Sequence, residues 1–468
     1  MTSDLYQAFA EILPESALKT SPADLNYYGK DWTKVLQPAP SLVVLPGSTE
    51  DVQAIVRLAQ KLKVALVPSG GRTGLSGGAM AANGEVVIAM DRMNKILDYN
   101  SVDRQVRCQA GVLTQELQNF ANDKGLLYPV DFASSGSSQI AGNIATNAGG
   151  IQVIRYGMTR QWVMGLQVVL ADGSLIDTNK GLYKNATGYD LRHLLIGSEG
   201  TLGIIVEAQL QLTTKPAAPR VLVLGLADMA AVMSVLQTFL SEFQLNAYEF
   251  FSKNALDYLR KHRAIQAPFD TDANYYVLLE IEQNAAASTD QFDEKLMNAF
   301  ESVVESGWVE DGVISQSLQQ AQDLWVLREG ISESLAPHTP YKNDISVLPS
   351  KVPQMLEAVE SLVNTAYPGW EIVWFGHIGD GNLHLNIMKP KTLSADEFFT
   401  QCHQVTHQVS QVVQDLNGSI SAEHGVGVLK RDYLHYARSP IEIEIMRGIK
   451  KVFDPNDILN PGKIFTEQ

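Results

Sequence analysis

Apolar residues at Val52, Ile55, Val56, Ala59 and Leu62 recur at helical spacing behind the capping run Ser48-Thr49-Glu50-Asp51, and predict a helix over 50–63. The apolar run Val64 to Val67 reads as a strand that enters a glycine-rich loop. Further strands are predicted at Val86 to Met90 and Val106 to Ala110, then a helix over Leu113 to Asp123. Gly165 to Ile176 reads as a hairpin with Asp172-Gly173 at its turn. Ile204, Val206, Ala208, Leu210 and Leu212 alternate as a half-buried strand does, until Thr213 to Pro219 breaks the pattern. That break is the expected end of a first domain, 1–215. Beyond it, strands at Val221 to Leu226 and Tyr275 to Glu282 interleave with helices near 227–242, 287–305, 353–366 and 396–415, and a last helix covers 440–453. The expectation is an α+β protein with a second domain over 216–415. A C-terminal segment, 416–468, is expected to pack back on the first domain and complete the active site.

The densest chemistry lies in Gly376-His377-Ile378-Gly379-Asp380-Gly381-Asn382-Leu383-His384-Leu385-Asn386, read with Ser421-Ala422-Glu423-His424-Gly425. Asp-Gly between apolar runs is a strong hairpin signal, because a type I′ turn needs φ > 0 at both central positions. With Asp380-Gly381 as that turn, His377 stands directly opposite His384, with Cβ atoms roughly 4.5–5.5 Å apart. Asn386 points to the same face. Glu423 then completes two imidazoles and one carboxylate, a set that suits a catalytic divalent metal with open positions. His424 stands beside this set without being needed as a ligand. Hydrolases and oxidoreductases both use such sites, so the constellation leaves the chemistry open.

Composition narrows it. At 468 residues two or three domains are expected, and no apolar run is long enough to span a membrane. Met1 to Pro14 reads as a short amphipathic helix without the basic start of a signal peptide, so cytoplasmic residence is expected. The two cysteines, Cys108 and Cys402, have no disulfide, iron–sulfur or zinc spacing. A net charge of −16 opposes nucleic acid and anionic membranes, so an acidic substrate has to be held by a few local cations.

The loop Ser69 to Gly78 holds five glycines with Arg72, Thr73 and Ser76 between them. Such a loop can turn successive backbone N–H groups toward one anion, with Arg, Thr and Ser adding donors. It fits neither the P-loop nor the nicotinamide fingerprint. Two more small-residue runs follow, Ser134 to Gly150 and Gly197 to Gly203. Either these are tight surface loops, or they cradle one long extended ligand such as a dinucleotide.

Pro-Ser-Gly-Gly-Arg-Thr-Gly-Leu-Ser-Gly-Gly at 68–78, Gly-Asn-Ile-Ala-Thr-Asn-Ala-Gly-Gly at 142–150, Arg155-Tyr156-Gly157 and Gly-Ser-Glu-Gly-Thr-Leu-Gly-Ile at 197–204 together resemble the FAD domain of the vanillyl-alcohol-oxidase and cresol-methylhydroxylase flavoproteins. The histidine hairpin, Ser-Ala-Glu-His-Gly and Asp454 to Lys463 resemble the D-2-hydroxyacid dehydrogenase branch. Leu327 to Glu333 and Tyr341 to Ser346 look most like the members acting on D-2-hydroxyglutarate. The resemblance implies a two-part FAD-binding domain and an α+β substrate (cap) domain with an antiparallel sheet. It gives Ser69, Gly70, Gly71, Arg72, Thr73, Gly74, Ser76 and Gly77 to the pyrophosphate, and Ser135, Ser138, Gly142, Asn143, Thr146 and Ile205 to the flavin. Some relatives attach FAD through a His in the first loop; this loop has none, so the FAD is expected to be non-covalent.

The expected reaction is oxidation of a D-2-hydroxy acid to the 2-oxo acid by hydride transfer to flavin. His377, His384 and Glu423 would hold zinc or manganese. His424 is the expected general base, since His exchanges a proton near neutrality. Arg328 and Lys342 are the cations expected at substrate carboxylates, with Ser332 one helical turn after Arg328 adding a hydroxyl. Asn386 is expected to hydrogen-bond the substrate. The electron acceptor is expected to be electron-transferring flavoprotein, as the resemblance implies, or a quinone, and a homodimer is open to the chain. A D-lactate or D-malate dehydrogenase with the same cofactors is the nearest alternative. A metal-dependent hydrolase and a non-catalytic flavin-binding subunit are more distant ones.

Overall fold

The computed structural model describes residues 2–33, 36–217, 219–283 and 288–466. Ala218, in the predicted break, and Ala287, at the start of a predicted helix, lie outside the described residues. Contacts divide the chain into one unit of Met1–Gly150, Gly157–Lys215 and Glu423–Gln468, and a second of Ile151–Tyr156 and Pro216–Ala422.

In the first unit the helix Thr49–Leu62 forms where its apolar spacing predicts. Ser48 caps it by accepting from Asp51 N–H, and Val52, Ile55, Val56 and Ala59 are buried. Lys63 ends it in the left-handed region at φ 54°, and Val64 N–H returns to Ala59 C=O. That turn consumes Val64, so the next strand is Leu66–Ser69 and begins two residues later than the apolar run. Leu42–Val44 and Leu66–Ser69 flank Val86–Ala89 in parallel, and Leu18–Lys19 adds an antiparallel edge. A second sheet is antiparallel throughout, in the order Ile96–Asn100, Gln105–Gln109, Ile204–Gln211, Val163–Val169, Leu175–Thr178. Its last two strands are the predicted hairpin, turning at Gly173 with φ +78°. One core joins both sheets and includes Ile458 and Leu459 near the C-terminus. There Leu66 N–H donates to Ile458 C=O and Asn460 N–H to Leu66 C=O, so the tail adds to the strand that feeds the first glycine loop.

The second unit holds one antiparallel sheet in the order Val309–Ile314, Arg220–Leu226, Tyr275–Ile281, Leu245–Ser252, Glu371–His377, Asn382–Met388, Tyr341–Ser346. The helices Met229–Glu242, Thr289–Glu305, Val352–Ala366 and Ala395–Asp415 lie close to their predicted spans. Trp374 Nε1 donates to Glu360 on Val352–Ala366, so that helix backs the face carrying Trp374. The opposite face carries the His residues, because side chains alternate along a strand. Its Val373, Phe375 and Phe251 share a core with Leu327, Ile331 and Leu335. Among the described residues no helix is long and apolar enough to cross a membrane.

Candidate active site

The histidine hairpin forms with a longer loop than predicted. Glu371–His377 and Asn382–Met388 pair so that His377 faces Asn382 and Phe375 faces His384. The turn therefore spans residues 378–381, and the expected type I′ turn with His377 opposite His384 is corrected by two residues. The neighbouring strand supplies the reason: Gly379 N–H donates to Tyr248 C=O, Asp380 N–H returns to His377 C=O and Gly381 N–H to Ile378 C=O. Gly381 takes φ +85°, while Asp380 does not take the positive φ a type I′ turn requires. A shift of two keeps both imidazoles on one face. They meet as diagonal neighbours, with ring centroids 5.4 Å apart and planes at 83°.

Each imidazole has a buried carboxylate on its Nδ1 side. Glu249 Oε1 lies 2.8 Å from His377 Nδ1, and Asp344 Oδ1 lies 3.8 Å from His384 Nδ1. Nε2 is the nitrogen on the side away from the carboxylate, the atom such a pair offers to a divalent ion. Burial is deep, with Glu249 1% and Asp344 2% exposed. Asn382 Nδ2 donates to Asp344 Oδ1 at 2.8 Å and to Ile345 C=O, which fixes the carboxylate. Glu249, Asp344 and Asn382 were not singled out in the sequence; for the two carboxylates the signal available was a charge placed inside a strand-like run.

Arg328 ends the helix Leu318–Glu329, and Gly330 separates it from the short helix Ile331–Leu335. Arg328 is buried, its Nε 2.8 Å from Glu249 Oε2 and its guanidinium 4.9 Å from the Phe375 ring centroid. Ser332 is exposed, whereas Arg328 is buried. Ser332 meets Lys342, whose Nζ donates to its Oγ at 3.1 Å. Lys342 pairs across the sheet with Asn386, and Asp344 with His384, so all four share the face of the imidazoles. Asn386 is 1% exposed; its Nδ2 donates to His384 C=O and Val373 C=O, while its Oδ1 is buried without a hydrogen bond.

In the first unit the glycine runs are built against one another. A Cβ on Gly71 would stand 2.1 Å from Ser137 C=O and 2.7 Å from Ser138 Cα, so only glycine permits the approach. Arg72, at φ 61°, turns its guanidinium onto the Asp91 carboxylate and over the Tyr27 and Tyr28 rings. Its side chain thus holds the loop. Gly77 N–H donates to Asp31, Ser138 Oγ and Asn143 Nδ2 meet Thr114, and Thr146 Oγ1 caps back on Gly142 C=O. Ser69, Ser135 and Ile205 are buried with them. A Cβ on Gly142 would meet nothing within 4 Å, and Gln139 Oε1 is buried without a donor. Space beside Gly142 and an orphaned acceptor fit an extended ligand laid along these runs.

Glu423 and His424 belong to this unit, with His424 Nε2 3.7 Å from Glu423 Oε1. Their loop is pinned from both glycine segments. Glu199, in the third run and itself at φ 51°, accepts from Val426 N–H at 2.7 Å and Gly427 N–H at 2.8 Å. Ser76 C=O accepts from Val428 and Leu429 N–H, and a Cβ on Gly427 would stand 2.1 Å from that oxygen. Burial pushes the Glu199 carboxyl up, opposed by these hydrogen bonds and by Lys430 and Lys463.

Residues 40–179 match the model of an FAD binding domain and residues 215–464 that of the FAD linked oxidases, C-terminal domain. The chain is 59% identical over 446 residues to a D-2-hydroxyglutarate dehydrogenase of Stutzerimonas stutzeri, covering 95% of each. It is 53% identical to one of Xanthomonas citri pv. viticola, over 99% of this chain and 98% of the relative. The mitochondrial D-2-hydroxyglutarate dehydrogenase of Arabidopsis thaliana is 36% identical, over 97% of this chain and 80% of the relative. Among solved structures, p-cresol methylhydroxylase with substrate bound superposes with a TM-score of 0.78 at 15% identity, covering 98% of this chain and 96% of that one. The 4-ethylphenol oxidase of Gulosibacter chungangensis gives 0.75 at 17%, covering 99% and 97%. These two likenesses establish the fold, that of the cresol-methylhydroxylase flavoproteins with an antiparallel cap sheet. By its sequence relatives and both matched domains, the chain belongs to the FAD-linked oxidases and is an FAD-dependent dehydrogenase.

Proposed function

We propose that the chain oxidises D-2-hydroxyglutarate to 2-oxoglutarate with the aid of a divalent metal. The observation that carries this reading is the carboxylate-backed pair His377 and His384, sharing one sheet face with Lys342. The names of the relatives at 53% and 59% identity agree with it. Glu423 is the proposed third ligand. Ser419 pairs with Ser346, next but one to Asp344 on the edge strand, and Glu423 follows Ser419 by four residues, a reach of at most about 14 Å.

Bound FAD supplies the two-electron acceptor, and a bound zinc or manganese ion supplies Lewis acidity toward a hydroxyl oxygen. His424 takes the hydroxyl proton as the carbinol carbon is oxidised. Arg328 and Lys342 hold the two carboxylates, Ser332 and Asn386 set the orientation, and Glu249 keeps the His377 imidazole in the ligand tautomer. The first glycine loop contains no His, which supports non-covalent FAD. Cys108 and Cys402 are buried thiols, which suits a reducing cytoplasm. Electron-transferring flavoprotein or a quinone is the proposed acceptor, and a homodimer is an assembly to look for.

The test is anaerobic bleaching of flavin absorbance by D-2-hydroxyglutarate, D-malate and D-lactate, with and without prior chelation. Rapid bleaching by the five-carbon dicarboxylate that chelation abolishes is expected. Bleaching by lactate alone moves the assignment to D-lactate, and bleaching that survives complete metal removal ends the metal proposal.

A further inference from the structure

Glu249 is 1% exposed in a strand whose neighbours are Tyr248, Phe250 and Phe251. A buried carboxylate is tolerated only when charge and hydrogen bonds compensate it. Here the two oxygens face different partners: Oε1 meets His377 Nδ1 and Oε2 meets Arg328 Nε, both at 2.8 Å. The register places Glu249 beside His377, one step on from the Phe250–Gly376 and Phe251–Phe375 pairs, so the contact is set by the sheet. Arg328 pairs with Glu249 by charge, with Nε and Oε2 2.8 Å apart but neither atom hydrogen-bonded, and its guanidinium carbon stands 4.9 Å over the Phe375 ring centroid.

We propose that Glu249 is a positioning residue that serves two subsites at once, holding His377 in the tautomer that presents Nε2 to the metal and aiming the Arg328 terminal nitrogens at a substrate carboxylate. This rests on the metal and substrate assignments made above. The His377 Nδ1 proton is held by Oε1, so the ring lone pair lies on Nε2. Oε2 pairs with Nε of Arg328, so the carboxylate charge anchors the guanidinium at that nitrogen and leaves the terminal nitrogens for the substrate. Removing one carboxylate charge therefore disturbs metal affinity and substrate affinity together, a coupling that a residue serving only to fill the core does not produce.

The experiment compares the full-length flavoprotein with Glu249→Gln and Glu249→Asp. Zinc affinity is read by competition with a chromophoric chelator, flavin content by absorbance, and KM and kcat by anaerobic flavin reduction. Glu249→Gln is expected to keep its flavin, lose about 10- to 100-fold in zinc affinity, and raise KM for D-2-hydroxyglutarate. Glu249→Asp keeps the charge and is expected to recover part of both losses. Zinc affinity within twofold of the unmodified protein together with an unchanged KM overturns the proposal. If Glu249→Gln does not retain flavin, Glu249→Asp decides: an intermediate loss of zinc affinity supports the proposal and equality overturns it. Failure of the unmodified protein to take up any divalent ion strikes the metal reading itself and takes this inference with it, on a separate measurement.

Discussion

Gly142 is where a cofactor cradle and a merely structural glycine run give opposite expectations. It lies in the helix Ile140–Thr146, and a Cβ there would meet nothing within 4 Å. For the protein alone, Gly142→Ala is harmless, and it gains helix propensity of about 0.8–1.0 kcal/mol. With a flavin against that surface, the methyl must be fitted between helix and ring, and overpacking of this kind costs about 1–3 kcal/mol. That corresponds to about 5- to 150-fold weaker FAD binding. Gly71→Ala differs in kind, because its Cβ would stand 2.1 Å from Ser137 C=O and the two loops must part before any ligand arrives. Gly136→Ala is the control, being exposed with nothing within 4 Å of its Cβ. Deflavination, FAD rebinding followed by fluorescence quenching, and apoprotein melting separate the cases. The expected pattern is weaker FAD with an unchanged or higher melting point for Gly142→Ala, loss of both for Gly71→Ala, and neither for Gly136→Ala. FAD affinity of Gly142→Ala within twofold of the unmodified protein refutes the placement of flavin beside this helix.

Three further outcomes are expected. Lys342 is exposed, so Lys342→Ala should leave stability within about 0.5 kcal/mol while raising KM for D-2-hydroxyglutarate about tenfold or more; an equal loss with D-lactate removes the distal-carboxylate assignment. Glu199→Ala strips the acceptor from two backbone N–H groups of the loop carrying Glu423 and His424, at about 1–3 kcal/mol each, so substrate reduction should slow at least tenfold with flavin still bound, and an unchanged rate shows that the loop holds itself. Burial pushes the Cys108 thiol up to about 12; the unfolded chain releases that proton first, so above about pH 9 the folded state loses roughly 1.4 kcal/mol per pH unit from this group as pH rises. Urea unfolding near pH 8 and pH 10 should show a shallower loss in Cys108→Ala, and equal slopes refute the assignment.

Local patterns carried most of the fold. Thr49–Leu62, Ala395–Asp415 and Pro440–Phe453 formed where apolar spacing and N-terminal caps indicated, because those signals act within one turn of chain. Leu245–Ser252 and Lys253–Arg263 were not read; the strand is buried on nearly every residue, and its polar Asn246, Glu249 and Ser252 fall three apart rather than alternating. A central strand buried on both faces loses its period. Glu249 was hidden for the same reason: it sits in that run, and its two partners lie 79 and 128 positions along the chain. Arg72 shows the limit for charged side chains. Its contacts with Asp91, Tyr27 and Tyr28, distant in sequence, could not be read from its residue type.

The histidine hairpin separates what a sequence pattern can specify from what it cannot. Loop length was misjudged because Tyr248 C=O, on another strand, claims Gly379 N–H and opens the turn to four residues. Face survived because side chains alternate with period two, and the observed register differs from the predicted one by two. A slip of one would have turned His377 over together with the rest of its strand and left the two imidazoles on opposite faces. Parity is thus the quantity that decides whether two histidines can share an ion, while the exact pairing decides only whether they meet directly or on the diagonal. On the diagonal the rings stand 5.4 Å apart, and each keeps a different carboxylate, Glu249 from one neighbouring strand and Asp344 from the other. Glu249 is set beside His377 by the pairing of Leu245–Ser252 with Glu371–His377, and Asp344 opposite His384 by the pairing of Tyr341–Ser346 with Asn382–Met388, so each carboxylate is placed independently of the hairpin loop.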